Sequence, residues 1–222
     1  MSTILCIETS TKACSVALGE GSTFVAGKFI YTGEFTHAER LNPLIEDLLA
    51  ENGKSFADLD AIAVSSGPGS YTGLRIGVST AKGLCYALSI PLISIDSLSL
   101  IAKEAMRQHP GAEFYVAMMD ARRMEVFSSV YSSDGTCIQP AEAKILDENS
   151  FPSLSGNTVF AGDGSDKFKP IQTHPQAVFL TGIHPMAEHM IADAFKKLSS
   201  GQIENTAYFE PFYLKEFYSP KS

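Results

Sequence analysis

Short apolar runs separated by glycine-rich or polar turns dominate the chain, and the hydrophobic period switches repeatedly between about 2 and about 3.6 residues. Residues 4–7 form an apolar run, 14–18 alternate, and 23–31 are mixed but rich in β-formers, so three strands are predicted first. Glu8-Thr9-Ser10-Thr11 and Gly19-Glu20-Gly21 make the turns between them. Leu41, Leu44, Ile45, Leu48 and Leu49 then share one side of a helix ending near Gly53, with Thr36 and Glu39 spaced as a capping box. Pro43 inside that pattern predicts either a kink or a shorter helix capped by Asn42. A buried strand at 61–65, a helix to about Leu88, a strand at 92–95 and a helix over 97–107 complete a βββαβαβα order.

His109-Pro110-Gly111 breaks the chain, and a similar order begins again. Strands are predicted over 113–119, 124–131 and 136–139, with Ser133-Asp134-Gly135 as a hairpin turn. A strand at 158–161 runs into Gly162-Asp163-Gly164-Ser165, followed by a strand at 177–180 and a helix over 185–198. Element order alone, with no matching sequence repeat, predicts an α/β protein of two duplicated βββαβα lobes, 1–108 and 109–222.

The stretch from Ser65 to Gly77 organises the first lobe. A strand feeds Gly67-Pro68-Gly69-Ser70-Tyr71-Thr72, which opens a helix. Such a turn either brings amides to an anion or serves as a tight connection that admits another backbone. It is neither a P-loop nor a dinucleotide fingerprint, because no Gly-Lys-Ser/Thr follows and the glycines do not fit GxGxxG. Gly73, Gly77 and Ala81 recur every fourth residue, leaving one face of the helix nearly bare, and the expectation is a docking face for another helix.

With 222 residues, 45% of them hydrophobic, the chain is long enough for one large domain or two small ones. The net charge of -8 argues against gripping nucleic acid without a basic partner. No apolar run is long enough to span a bilayer, and no basic region precedes an apolar one at the N-terminus, so a cytoplasmic protein without membrane association is expected. Cys6, Cys14, Cys85 and Cys137 form no CxxC pair and are expected to stay thiols. His37, His109, His174, His184 and His189 have no metal-ligand spacing and are read as surface or capping residues.

Residues 4–10, the Gly67 to Gly77 motif and Asp120-Ala121-Arg122-Arg123-Met124-Glu125-Val126 resemble the TsaB family, formerly called YeaZ. The Pro211-Phe212-Tyr213-Leu214-Lys215 segment is similar to that family's ending, with Lys215 where Arg is more usual. The resemblance spans nearly the whole chain. It implies an actin-like, sugar-kinase-like (ASKHA) fold and a cytoplasmic role in making N6-threonylcarbamoyladenosine (t6A) beside the tRNA anticodon.

The resemblance also implies a non-catalytic subunit that scaffolds a TsaD-like catalytic subunit together with a TsaE-like ATPase. Such a chain forms a homodimer when alone and meets tRNA only through the complex. The implied interface uses Leu41, Ile45 and Leu48 of one helix with Gly73, Arg75, Ile76, Gly77, Thr80, Ala81 and Leu84 of the next. The histidine pair that holds a metal in TsaD falls on serine and isoleucine within residues 96–101, so no catalytic residue and no metal site is expected. No cofactor is expected to bind tightly, ATP or ADP at the complex interface being the only nucleotide expectation. The competing reading is a Mg-dependent nucleotide-binding phosphotransferase or ATPase of the same fold. It would use Glu8, Thr9 and Ser10 in the first hairpin and Asp163 as a second carboxylate, residues whose plainer role is to satisfy their turns. A small-molecule-binding regulatory domain is a third possibility. Asp120 and Arg122 either pair across the lobe boundary, face a ligand, or form a plain charged turn.

Overall fold

Every residue of the first strand, β1 (Thr3–Glu8), is buried, which requires apolar cover on both faces of its sheet. The pleat supplies two sets: Leu5 and Ile7 enter one core, Ile4 and Cys6 the other. In the computed structural model, which describes residues 1–34, 36–154 and 156–215, β1 is the middle strand of a five-stranded sheet. The others are β2 (Ala13–Glu20), β3 (Thr23–Tyr31), β4 (Ala61–Gly67) and β5 (Leu92–Asp96), in the order β3-β2-β1-β4-β5. β1, β2 and β3 are joined antiparallel, whereas β4 and β5 are added in parallel and therefore need crossovers. These are α1 (His37–Glu51) and α2 (Tyr71–Leu88), which cover Leu5, Ile7, Val16, Leu18, Ile62 and Val64 on one face.

α3 (Ser97–Gln108) leads to a second sheet of β6 (Phe114–Asp120), β7 (Glu125–Ser132), β8 (Cys137–Ile145), β9 (Thr158–Ala161) and β10 (Ala177–Leu180). Its order, β10-β9-β6-β7-β8, with β6 antiparallel to β7 and parallel to β9, repeats the first sheet's topology. The duplication predicted from element order is therefore present in the strands. It is incomplete in the helices: no helix is described between β8 and β9, and the four-residue α4 (Ser165–Phe168) stands where the first sheet has α2. Aromatic packing fills this second core, with Phe160 5.1 Å from Phe168 and 5.1 Å from Phe179 between ring centroids.

The expected division at residue 108 is corrected by the way the chain returns. One unit comprises Met1–Leu100 and Pro185–Pro211, the other Ile101–His184 with 212–215. A 3-10 turn (Ala187–Met190) and α5 (Ile191–Ser199) replace the single helix predicted over 185–198. Their Ala187, Met190, Ile191 and Ala194 cover Ile4, Cys6, Ala17 and Ala63, so the second face of the first sheet is closed by the end of the chain. Glu204 then pairs with the open edge of β5, its N–H donating to Leu92 O at 2.8 Å. Among the described residues no helix is long and apolar enough to cross a membrane.

One local expectation fails, and one of two alternatives at Pro43 is excluded. Thr36 has φ -109° and ψ 13°, not the extended conformation a capping side chain needs, and its side chain makes no capping bond. The start of α1 is held instead by backbone bonds from Glu39 N and Arg40 N to Thr36 O. Pro43 neither ends α1 nor follows a cap at Asn42, because the helix runs through it with Pro43 exposed.

α2 turns its bare face inward. A Cβ on Gly73 would collide with the Thr9 carbonyl oxygen and one on Gly77 with Thr9 Oγ1, while a Cβ on Gly69 would lie 2.7 Å from that of Ser10. Gly83, on another side of the helix, would meet nothing. Gly73→Ala should therefore destabilise the protein by about 1–3 kcal/mol through overpacking, whereas Gly83→Ala should stabilise it by up to about 1 kcal/mol. Urea unfolding of the two variants decides this, and equal effects would contradict the inward-facing assignment.

Candidate functional site

The β1–β2 turn and the start of α2 form one buried polar assembly. Thr9 Oγ1 donates to Gly73 O at 2.8 Å, and Ser70 N donates to Ser10 O at 2.6 Å. Gly67, at φ 107°, donates its N–H to Ser97 Oγ at 3.1 Å, and Ser70 caps α2 by accepting from Gly73 N at 3.3 Å. Of the two readings of the Gly67-Pro68-Gly69-Ser70-Tyr71-Thr72 turn, these bonds favour the close approach of one backbone to another. Amides of the first hairpin are taken up in the same way: Ser10 N donates to Glu8 Oε1 at 2.5 Å, and Ala13 N to Thr11 Oγ1 at 3.1 Å. Glu8, Thr9 and Ser10 are all buried.

Glu8 is completely buried, and its Oε2 makes no hydrogen bond among the described residues. Desolvation pushes its carboxyl up to about 7; hydrogen bonds from Ser10 and Ser65 oppose the shift, and the charge of Asp96 adds to it. Burial, with the Glu8 charge second, pushes the Cys14 thiol up to about 12. His37, expected as a surface or capping residue, is buried at the start of α1 with Nε2 2.7 Å from Thr11 O, and desolvation lowers its pKa. It braces the hairpin from the other side.

The residues expected to dock a partner divide by exposure. Leu41, Leu48, Gly73, Gly77 and Ala81 are buried within the unit, the two glycines against Thr9 of the hairpin. Arg75 is exposed and lies over the Tyr71 ring, 4.0 Å from its centroid, while Ile76, Thr80 and Leu84 are half-buried. Ile45 touches both environments, belonging to the core and lining a groove of about 330 Å³ between α1 and α2. Asn42, Glu46, Phe56, Ser79, Thr80, Gly83 and Leu84 complete that groove. The second small-residue stripe, Ser79 and Gly83, was the available sequence signal for it.

In the second unit Asp163 is a turn residue tied to its neighbours. Its Oδ1 accepts from Asp120 N at 2.9 Å, and desolvation raises its pKa, with the nearby Asp120 charge adding to the shift. Asp120 does not pair with the Arg122 guanidinium. Its Oδ1 accepts from Lys167 Nζ at 2.6 Å and from Arg122 backbone N at 2.5 Å. Lys215 Nζ is 2.5 Å from Glu125 Oε2. Arg122 (φ 72°) and Arg123 (φ 49°) both occupy the left-handed region, at a cost of about 1 kcal/mol or more each for a non-glycine residue.

Among the described residues no group of three or more His, Cys, Asp and Glu side chains is arranged to hold a metal. Within the 96–101 segment, where the resemblance implies that serine and isoleucine replace a histidine pair, Ser97 and Ile101 are buried: Ser97 accepts from Gly67, and Ile101 packs near Gly162.

Residues 34–212 match the family model described as TsaD: tRNA N6-adenosine threonylcarbamoyltransferase. The chain is 34% identical over 220 residues to the tRNA threonylcarbamoyladenosine biosynthesis protein TsaB of Escherichia coli (strain K12), covering 96% of this chain and 94% of that one. It belongs to the TsaB (YeaZ) family. TsaB of Bacillus subtilis (strain 168) is 37% identical over 129 residues, covering 58% of this chain and 55% of that protein. YeaZ from Pseudomonas aeruginosa superposes with a TM-score of 0.83 at 32% identity, over 96% of this chain and 100% of that one. The agreement extends across both units, so the TsaB family's two-sheet α/β architecture, consistent with an ASKHA-like fold, is that of this chain.

The buried carboxyl gives the site a pH signature. A group titrating near 7 in the fold, against 4.5 as its ordinary value, costs nothing below the lower value and withdraws about 3 kcal/mol of stability as pH rises through both. Glu8→Gln should leave the melting temperature nearly unchanged at pH 4 and raise it clearly at pH 8. Parallel pH profiles for the two proteins would show that Glu8 is not held neutral.

Proposed function

We propose that this chain is a non-catalytic subunit of t6A biosynthesis, docking a TsaD-like catalytic subunit that acts with a TsaE-like ATPase on tRNA in the cytoplasm. The observation that carries the reading is the groove between α1 and α2. Its walls are Ser79, Thr80 and Gly83 on one side and Asn42, Ile45 and Glu46 on the other, and Gly83 has open space where a Cβ would be. Small residues let a second helix approach closely, and Ile45, Phe56 and Leu84 supply an apolar floor. Arg75 and Glu46, both exposed, add opposite charges to the surface of these two helices. In the absence of the catalytic subunit the same groove suits a second copy of the chain in a two-fold dimer.

The hairpin supports this reading over phosphoryl transfer. Glu8 is enclosed, and amide donors beside it are engaged by Glu8 and Thr11. Any ATP or ADP would then sit where subunits meet and not in this turn. Threonylcarbamoyl transfer to tRNA by purified catalytic subunit and ATPase should appear only on adding this chain. Thr80→Arg/Gly83→Arg should abolish both that dependence and co-elution with the catalytic subunit, and Glu8→Gln should preserve both. Transfer indifferent to the chain would overturn the subunit role, and Mg-dependent ATP turnover lost in Glu8→Gln would establish the enzyme alternative.

A further inference from the structure

The turn between β6 and β7 carries two adjacent arginines in a setting the docking role does not use. Arg122 and Arg123 are exposed, and neither guanidinium makes an ion pair or hydrogen bond among the described residues. The carboxylates on either side are already matched: Asp120 by Lys167 at 2.6 Å and Glu125 by Lys215 at 2.5 Å. The turn's positive charge is therefore left for an outside ligand.

The backbone is fixed as well. Asp120 Oδ1 holds Arg122 N, Ala121 N donates to Glu125 O at 3.1 Å, and Glu125 N donates to Arg122 O at 3.1 Å. Lys167 Nζ reaches both Asp120 Oδ1 and Glu125 O, tying the turn to α4. Glycine or asparagine would fit φ 72° and 49° more easily than arginine does, so the local conformation gives no reason for two arginines. A ligand does.

We propose that the Arg122–Arg123 turn is a contact for the phosphodiester backbone of RNA. This rests on the reading that the chain works on tRNA, and it departs from the expectation that tRNA is met only through the complex. A guanidinium pairs bidentately with phosphate. At a net charge of -8 the rest of the surface repels a polyanion, so contact is confined to a local cationic point.

The test uses this chain alone, so that a failure of the docking reading does not affect it. The arginine Nε–H resonances of the ¹⁵N-labelled protein are followed while an unmodified tRNA transcript is added, at low and at physiological salt. Arg122 and Arg123 should shift first, and Arg122→Ala/Arg123→Ala should weaken binding about tenfold at low salt. The slope of log affinity against log salt should fall by about 1.5, as for two lost phosphate contacts. Arg122→Lys/Arg123→Lys should recover most of the affinity. Arg122→Gly/Arg123→Gly relieves the left-handed backbone and should melt no lower than the parent while binding as poorly as the alanine pair. Poly-glutamate at equal charge concentration is the control for an acidic protein ligand. The proposal is overturned if the two resonances stay unmoved with tRNA, if the alanine pair binds like the parent, or if poly-glutamate moves them as strongly.

Discussion

The fit of three glycines against one hairpin is the contact from which the first unit's geometry follows. Gly69, Gly73 and Gly77 present no side chain to Thr9 and Ser10, so α2 lies close enough for Thr9 Oγ1 to reach Gly73 O and for Ser70 N to reach Ser10 O. That approach fixes the rotation of α2 about its own axis. Val78, Ala81 and Cys85 are thereby turned into the core with Leu5, Ile7 and Val64, and Ser79, Thr80 and Gly83 are turned toward the groove. The same closure excludes solvent from Glu8, whose perturbed titration is a by-product of helix packing.

The succession of strands along the chain was legible because β1 and β4 are covered on both faces and read as unbroken apolar runs, while the hairpins carry turn residues at their tips. The proposed docking face was legible only as a helix, not as a side of it. α2 has two small-residue stripes, Gly73-Gly77-Ala81 and Ser79-Gly83, and periodicity cannot tell which faces inward. Thr9, more than sixty residues earlier in sequence, decides the matter. The burial of His37 was not legible for a similar reason, since its acceptor at Thr11 belongs to a turn that no local pattern connects with α1. Asp120 was singled out together with Arg122, but its ion-pair partner is Lys167, a residue on a four-residue helix that the sequence did not announce.

The two units share a strand topology and differ in what lies between the strands. In the first, an 18-residue helix with a capped start follows β4; in the second, the corresponding connection is Gly162-Asp163-Gly164 and α4. A chain that retains both sheets but reduces one set of helices keeps the strand scaffold and sets two long helices, α1 and α2, side by side on the first sheet. Three charged residues of the second unit, Asp120, Asp163 and Lys167, converge on the turn at residues 120–125 and hold its backbone.

The return of Pro185–Pro211 to the first unit sets an order on biosynthesis. When residues 1–100 have left the ribosome, one side of their sheet is already covered by α1 and α2, but Ile4, Cys6, Ala63 and Ile93 on the other await Met190, Ile191 and Ala194. The sheet made first thus gains the cover of its second face only after the whole second sheet has been translated. During that interval the nascent chain carries an uncovered apolar sheet face, the kind of surface that chaperones bind.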